Sequence, residues 1–354
     1  MIDESRLTPK TSFIPSPFLP GTNIRFAWDS TILGAFKTCP RMYQYLYVDF
    51  WGRTDESVHL RFGSEYHTAL QDYDLSRAAG IKHDDAVFDV VKALLERTAD
   101  YAPDPDTKPG KYKSREMLLR CVIWYLDEHR DDPAKTYIKA DGKPAVELSF
   151  RFELDWGPNQ DGVGEIVEVS GPNGSTEYMK KLDFPQPYLL CGHLDSVKEL
   201  NGSLFVMDHK TSMTTLGSYY FDQWSPSNQM TLYSVASKVI LDAPVKGVII
   251  NAAQLMLDFD KTGEPGARFV RGITYRTPDQ LNEWLEDLRY WLEVAEAYAV
   301  ADYFPMNDTS CDKFGGCRFR SICSKSPQVR EQFLKSDYTK LPPELQWNPM
   351  ISRS

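Results

Sequence analysis

The sequence is short of the features that would take it out of ordinary globular chemistry. No stretch approaches the roughly 18 uninterrupted apolar residues of a membrane span, so no membrane partner is expected. The opening Met1-Ile2-Asp3-Glu4-Ser5 lacks the basic-then-apolar order of an export signal, and a cytoplasmic protein is expected. Positive charge is in deficit. Forty Lys and Arg against fifty Asp and Glu leave a net charge of −10, so the molecule as a whole repels nucleic acid and any phosphate-binding role must be local. Cysteine is scarce, with six in 354 residues, and without an export signal a disulfide framework is not expected. With 42% hydrophobic and 25% charged residues, disorder and collagen-like repeats are excluded for the bulk, and the length allows about two domains.

Residues 1–27 carry Pro9, Pro15, Pro17 and Pro20 and are expected as an extended arm. A helical region over 28–135 follows. Asp29-Ser30 is a candidate cap, and Gly63 to Ala79 and Asp84 to Ala99 have amphipathic spacing. The basic stretch Lys108 to Arg115 is expected as a solvated loop. From Ala145 the period changes to two, with Val146, Leu148, Phe150, Phe152 and Leu154 alternating with polar residues. Gly157 to Thr176 has the composition of a surface insertion. Strands are expected over Tyr188–Leu200, Ser203–Thr211, Val245–Leu257 and Arg268–Tyr275, giving a mixed or antiparallel sheet in a core over 136–276. Pro226 is expected in the first turn of the helix holding Gln229 and Tyr233. Thr277-Pro278-Asp279-Gln280 has the form of a capping box that opens a long helix within 277–330, and 331–354 is expected as a tail.

Asn201-Gly202 separates two strand-like runs and favours a two-residue type I′ turn. If Leu200 pairs with Ser203, Asp195 stands across from Asp208 and His193 across from Lys210. Facing carboxylates repel unless something positive lies between them, and hard oxygen donors suit Mg²⁺ or Mn²⁺. Lys210, on the same face as Asp208, is placed to stabilise charge on a phosphoryl oxygen. The alternative is a surface hairpin whose acids pair with lysines. Against it, both strands carry Leu, Val, Phe and Met on both faces, which puts the acids beside a buried region.

This pattern resembles the PD-(D/E)xK nucleases, and within them the RecB-like branch that includes CRISPR-associated exonucleases and the nuclease of AddB. Gly63-Ser64-Glu65-Tyr66-His67 is similar to that branch's Gly-x-x-x-His helix, and Gly192-His193-Leu194-Asp195 to its Gly-x-x-Asp strand. Asp208-His209-Lys210 is similar to its (Asp/Glu)-x-Lys strand, and Gln229 to Tyr233 to its Gln-x-x-x-Tyr motif. The resemblance implies an α/β (α+β) fold with a central mixed sheet of restriction-endonuclease-like type flanked by helices. It further implies metal held by His67, Asp195, Asp208 and the backbone carbonyl of His209, with Lys210 as the catalytic lysine. Gln229 and Tyr233 would position Lys210 or the DNA strand, and Glu147 would be an upstream acid on the first strand.

Cys39, in Thr38-Cys39-Pro40-Arg41, and Cys311-x5-Cys317-x5-Cys323 form a one-plus-three arrangement from opposite ends of the chain. It is similar to the iron–sulfur latch of the same branch, where four thiolates hold a [4Fe–4S] cluster, although many members have a shorter Cys-x2-Cys first spacing. Zinc sites usually contain a close cysteine pair with two to four residues between, which is missing here. Free buried thiols are the remaining reading. Cys121 and Cys191 fit as buried small hydrophobes.

The expected function is a metal-dependent DNA exonuclease acting on single-stranded DNA or DNA ends in recombination, repair, replication or CRISPR-type processing. A helicase, recombinase or integrase partner is compatible with it, in a cellular or a phage setting. Tyr43, Tyr45, Tyr47 and Trp51, beside Arg41 and Arg53, are candidates for stacking on bases, with a plain hydrophobic helix as the alternative. The competing class is a catalytically weak DNA-binding or assembly subunit of a recombination or spacer-acquisition complex.

Overall fold

The computed structural model describes residues 16–52, 57–154, 166–170, 176–180, 188–241, 243–312 and 316–351. Most of the expected arm and the greater part of the expected 157–176 insertion lie outside them. The chain divides into two compact units, one of residues 1–54, 150–192 and 282–352, the other of 55–149, 193–281 and 353–354.

The strands of the main sheet are β1 (Ala27–Trp28), β2 (Lys135–Thr136), β3 (Val146–Glu153), β4 (Leu189–Leu200), β5 (Ser203–Ser212), β6 (Val245–Met256) and β7 (Gly266–Thr274). They run in the order β1-β4-β5-β6-β7, with β2 and β3 also paired to β4. β5 pairs antiparallel with β4 and parallel with β6, and β7 is antiparallel to β6, so the sheet is mixed. The principal helices are α1 (Ser30–Thr38), α2 (Val58–Ala78), α3 (His83–Arg97), α4 (Arg115–Glu128), α5 (Ser218–Asp222), α6 (Asn228–Ile240) and α7 (Pro278–Val300).

In the second unit, α2 buries Phe62, Tyr66, Ala69, Leu70 and Tyr73 along one helical stripe. That stripe packs with Val90 and Leu94 of α3, Leu118 and Val122 of α4, and Ala253 and Leu255 of β6 in one apolar core. Each fully buried side chain of this size contributes about 1.5–3 kcal/mol. β5 is buried on both faces from Leu204 to His209, as expected of a strand with a neighbour on each side and helices above it. Cys121 is fully buried here, as its apolar pattern predicts.

In the first unit, Asp29 Oδ1 accepts the Ile32 N–H at 2.8 Å and caps α1. α1 then sends Phe36 against Trp28 and Tyr43, whose rings stack at 5.7 Å. Tyr43, Tyr45 and Trp51 are buried, which corrects the reading of this run as a base-stacking surface. Arg53 lies outside the described residues.

Three local expectations need correction. Pro226 follows a cis bond from Ser225 and precedes the α6 N-cap, Ser227, so it stands outside the helix. The two-residue alternation of β3 breaks at Glu147, whose φ of 47° is left-handed, and burial then recurs at Val146, Phe150 and Leu154. The 108–115 stretch is not a solvated loop, since Lys108–Tyr112 is helical and Lys113 is buried. The capping box does form, with Thr277 N–H donating to Gln280 Oε1 at 2.9 Å and Gln280 N–H to Thr277 Oγ1 at 3.2 Å.

Candidate active site

Asn201 and Gly202 have φ of 51° and 71°, the two left-handed residues that a type I′ turn requires. Pairing runs from Leu200↔Ser203 to Ser196↔Met207 in the expected register. It stops one residue short of the acids. There Asp195 Oδ2 accepts the His209 backbone N–H at 2.9 Å, so a side chain replaces the ladder bond and draws the carboxylate onto β5. The expected pairing of His193 with Lys210 does not form, and the His193 ring meets Ser149 Oγ at 2.9 Å instead.

Asp208 is 1% exposed, and Lys210 Nζ sits in its carboxylate fork, donating to Oδ1 at 2.8 Å. Oδ2 lies 2.7 Å from the same ammonium but accepts no aligned hydrogen bond. His67, presented by α2, places Nδ1 3.2 Å from Asp195 Oδ2. The structure therefore brings His67, Asp195, Asp208, His209 and Lys210 together.

Burial raises the Asp208 carboxyl, with Lys210 opposing and Asp195 reinforcing. Burial would also raise Asp195, but the charges of His67, His209 and Lys210 outweigh it and hold this carboxylate well below the usual range. Burial alone would lower His67, but Asp195 outweighs it and the imidazole is raised. Like charges side by side thus push the two acids apart, with Asp195 ionised and Asp208 the readier to take a proton. The buried Asp208 Oδ2, without an aligned donor, is the oxygen available to a hard divalent cation, so this donor set fits Mg²⁺ or Mn²⁺.

On α6, Gln229 Nε2 donates to Tyr233 Oη at 3.0 Å, which joins the two residues as a pair on one helical face. Glu147 is half-buried on β3.

Several neighbours went unnoticed in the sequence. Lys113 donates from Nζ to Thr211 Oγ1 at 3.1 Å, and burial lowers its ammonium to about 8. The basic stretch Lys108 to Arg115 carries the signal in the sequence. Asn251 Nδ2 lies 2.9 Å from His209 Nδ1 and 2.6 Å from Tyr125 Oη, while its Oδ1 accepts from Arg271 Nε at 3.2 Å. Arg271 is fixed in turn by Asp132, at 2.8 Å from Nη1 and 2.5 Å from Nη2. An asparagine inside the apolar run Val248-Ile249-Ile250 was the available signal. Trp224 lies under Lys210, with Nζ 5.4 Å from the ring centroid.

The four predicted thiols all fall in the first unit and are free of disulfides. Cys39 Sγ accepts the Asn307 backbone N–H at 3.3 Å, and the Cys317 N–H donates to the Cys311 carbonyl at 2.8 Å. Burial raises the Cys311 thiol, and the charges of Cys317 and Cys39 raise it further. Cys323 is raised by burial, lowered by Arg41 and Arg330, and raised again by Cys317 and Cys39. Each thiol is thus within electrostatic reach of others in the set, and Cys317 and Cys323 pack against the apolar cluster of Tyr45, Trp51, Phe319 and Ile322. Four thiol sulfurs are the donor type that an iron–sulfur cluster takes, and two of them, Cys317 and Cys323, border an apolar cluster. Among the described residues, no group of three or more His, Cys, Asp or Glu side chains is placed so that it could hold a metal ion. No helix among them is long and apolar enough to cross a membrane.

The sequence matches the profile of the PD-(D/E)XK nuclease superfamily over residues 30–324. Among solved structures, a candidate exonuclease from Eubacterium rectale aligns with a TM-score of 0.44 and 13% identity, over 87% of this chain and 92% of that one. SSO0001 aligns with a TM-score of 0.32 and 13% identity, over 84% and 86%. No curated protein matches the sequence. The profile match takes in His67, Asp195, Asp208, Lys210 and all four cysteines of the one-plus-three set, and the chain belongs to the PD-(D/E)XK nuclease superfamily.

Proposed function

We propose that the protein is a metal-dependent DNA exonuclease that hydrolyses phosphodiester bonds at single-stranded DNA or DNA ends. The observation that carries this reading is the convergence of Asp195, Asp208 and Lys210 at the open end of one hairpin, with His67 against Asp195. Asp195, Asp208, His67 and the His209 carbonyl would hold Mg²⁺ or Mn²⁺, which would supply Lewis acidity toward water and the phosphodiester. The chain's own residues do the rest. Asp195 fixes the His209 peptide through its N–H, which orients the carbonyl-bearing strand. Lys210 brings an ammonium to the acids and, once Asp208 is otherwise neutralised, is free to turn to a phosphoryl oxygen and stabilise its developing charge. Gln229 and Tyr233 position Lys210 or the DNA strand, and Glu147 is the upstream acid.

In the same proposal, Cys39, Cys311, Cys317 and Cys323 hold a structural [4Fe–4S] cluster that closes a loop of about 270 residues and removes freedom from the unfolded chain. Residues 28–135, 136–276 and 277–330 serve as the helical region, nuclease core and cluster-bearing segment. A cytoplasmic setting in recombination, repair, replication or CRISPR-type processing, with a helicase, recombinase or integrase partner, completes the reading.

The test is digestion of end-labelled single- and double-stranded DNA with Mg²⁺, with Mn²⁺ and with EDTA. Metal-dependent shortening from an end is expected, abolished in Asp208→Asn and Lys210→Ala. Wild-type protein that binds DNA but degrades neither substrate would instead favour the assembly-subunit alternative.

A further inference from the structure

β5 runs from the acid and the lysine directly into an aromatic segment. Beyond Ser212 the chain leaves the sheet through a turn in which Ser212 Oγ accepts the Thr214 N–H at 3.0 Å, and Leu216 N–H then donates to Gln254 Oε1 at 3.1 Å. α5 follows with Tyr219, Tyr220 and Phe221, and Trp224 lies two residues past its end. Phe221 is the anchor. Its ring covers Gly272 of β7 so closely that a Cβ there would come within 2.2 Å of it. The far end is tied by Arg276, which donates to the Trp224 carbonyl at 2.9 Å and to Thr231 Oγ1 at 2.9 Å.

Anchored at both ends, the segment is held beside the site. The Trp224 ring lies under Lys210, and the Tyr220 ring stands 6.2 Å from it at 70°. Burial, with the charge of Asp208, pushes the Tyr220 hydroxyl up to about 12. Tyr219, on the same short helix, is 91% exposed. Tyr220 and Trp224 are half-buried, so each keeps part of its ring open to solvent.

A chain of net charge −10 gains little from long-range attraction to DNA, so short-range contacts near the scissile bond must supply the affinity. Base stacking on aromatic rings is such a contact, and it requires a base whose face is not covered by a duplex neighbour. We propose that Tyr219, Tyr220 and Trp224 form a stacking subsite beside Lys210 that receives an unpaired nucleobase, so that single-stranded DNA is the preferred substrate. This rests on the nuclease reading above and adds the residues that select the strand.

The experiment measures binding in EDTA, where no cleavage occurs, with the full chain and oligonucleotides that carry 2-aminopurine at each position in turn. Wild-type protein quenches the probe at a restricted position and binds single strands more tightly than duplex. The double variant Tyr219→Ala/Tyr220→Leu, with unchanged circular dichroism, loses the quenching and about tenfold or more in single-strand affinity, while its duplex affinity stays put. Tyr219→Trp/Tyr220→Trp restores the single-strand preference. Unchanged single-strand affinity in the double variant, an equal loss for both DNA forms, or wild-type protein that quenches nowhere would each overturn the subsite. Cleavage that survives with unchanged binding in the double variant removes the subsite alone. Tyrosine-dependent binding without any cleavage removes the nuclease reading and leaves the subsite.

Discussion

The acid–lysine cluster and the thiol set are assembled by opposite means. Asp195, Asp208 and Lys210 lie on two strands joined by a two-residue turn, so once Asn201-Gly202 adopts its left-handed pair the register carries the acids to one end of the hairpin. The thiols come from Cys39 and from Cys311 to Cys323, and no local register relates them. Asn307 ties the later segment to the earlier one, through its N–H to Cys39 Sγ and its Nδ2 to the Thr38 carbonyl at 2.9 Å. A cluster on a hairpin is positioned by short-range geometry, and its loss is expected to cost chemistry. Residues brought from distant segments are positioned by the finished fold, and their loss is expected to cost stability.

Asp208→Asn and Lys210→Ala put the largest effect on the first side of that contrast. Each is expected to lower kcat/KM on DNA by at least about 10²-fold, with a melting temperature near wild type, as read by labelled-substrate assays beside thermal melts. Comparable cleavage by either variant would detach the cluster from catalysis.

Cys317→Ser tests the other side. Loss of iron and of visible absorbance in anaerobically purified protein is expected, with a stability loss of about 2–4 kcal/mol by analogy with a crosslink. Iron content and melting temperature both equal to wild type would show that the thiols hold nothing.

Arg271→Met strikes behind the hairpin site, where Asp132, Arg271 and Asn251 support the His209 ring. A stability loss of about 1–3 kcal/mol is expected, since a half-buried carboxylate is left without its partner. Burial would raise the Asp132 carboxyl, but the hydrogen bonds and charge of Arg271 outweigh it and lower the group in the folded state. Its contribution is therefore present above the unfolded value and disappears as pH falls through the folded one. Urea unfolding should show the full deficit at about pH 7 and a shrinking one as pH falls below the usual carboxylate value of about 4. A deficit independent of pH would assign the loss to packing.

Gly202→Ala is the smallest perturbation. It places a side chain at φ 71° and should cost about 1 kcal/mol while leaving the acids in register, as judged by unchanged kcat. A fall in kcat larger than the loss of folded protein would show that the turn sets the carboxylate geometry more tightly than the ladder does.

Much of the hairpin was legible because β structure turns sequence spacing into facing positions. The register from Leu200 to Ser196 followed from the turn alone. What followed less well was its open end, where a side-chain bond from Asp195 to the His209 N–H replaces pairing, an exchange that spacing does not encode. The aromatic run near Tyr43 misled because exposed stacking rings and buried packing rings have the same composition. Tyr45 is buried against Phe319, while exposure falls to Tyr219. Lys113 misled for the converse reason, since a basic stretch reads as wet until Phe62 and Thr211 cover one member of it.

By itself the sequence determined the left-handed turn, the hairpin register beside it and the caps of α1 and α7, because each depends on neighbours within a few residues. The tertiary structure alone decided which aromatic rings remain exposed, which cations are buried, and how Asn251 and Arg271 come to support His209. Those outcomes depend on solvent exclusion by segments distant along the chain, and burial sets both the cost of a charge and the freedom of a ring.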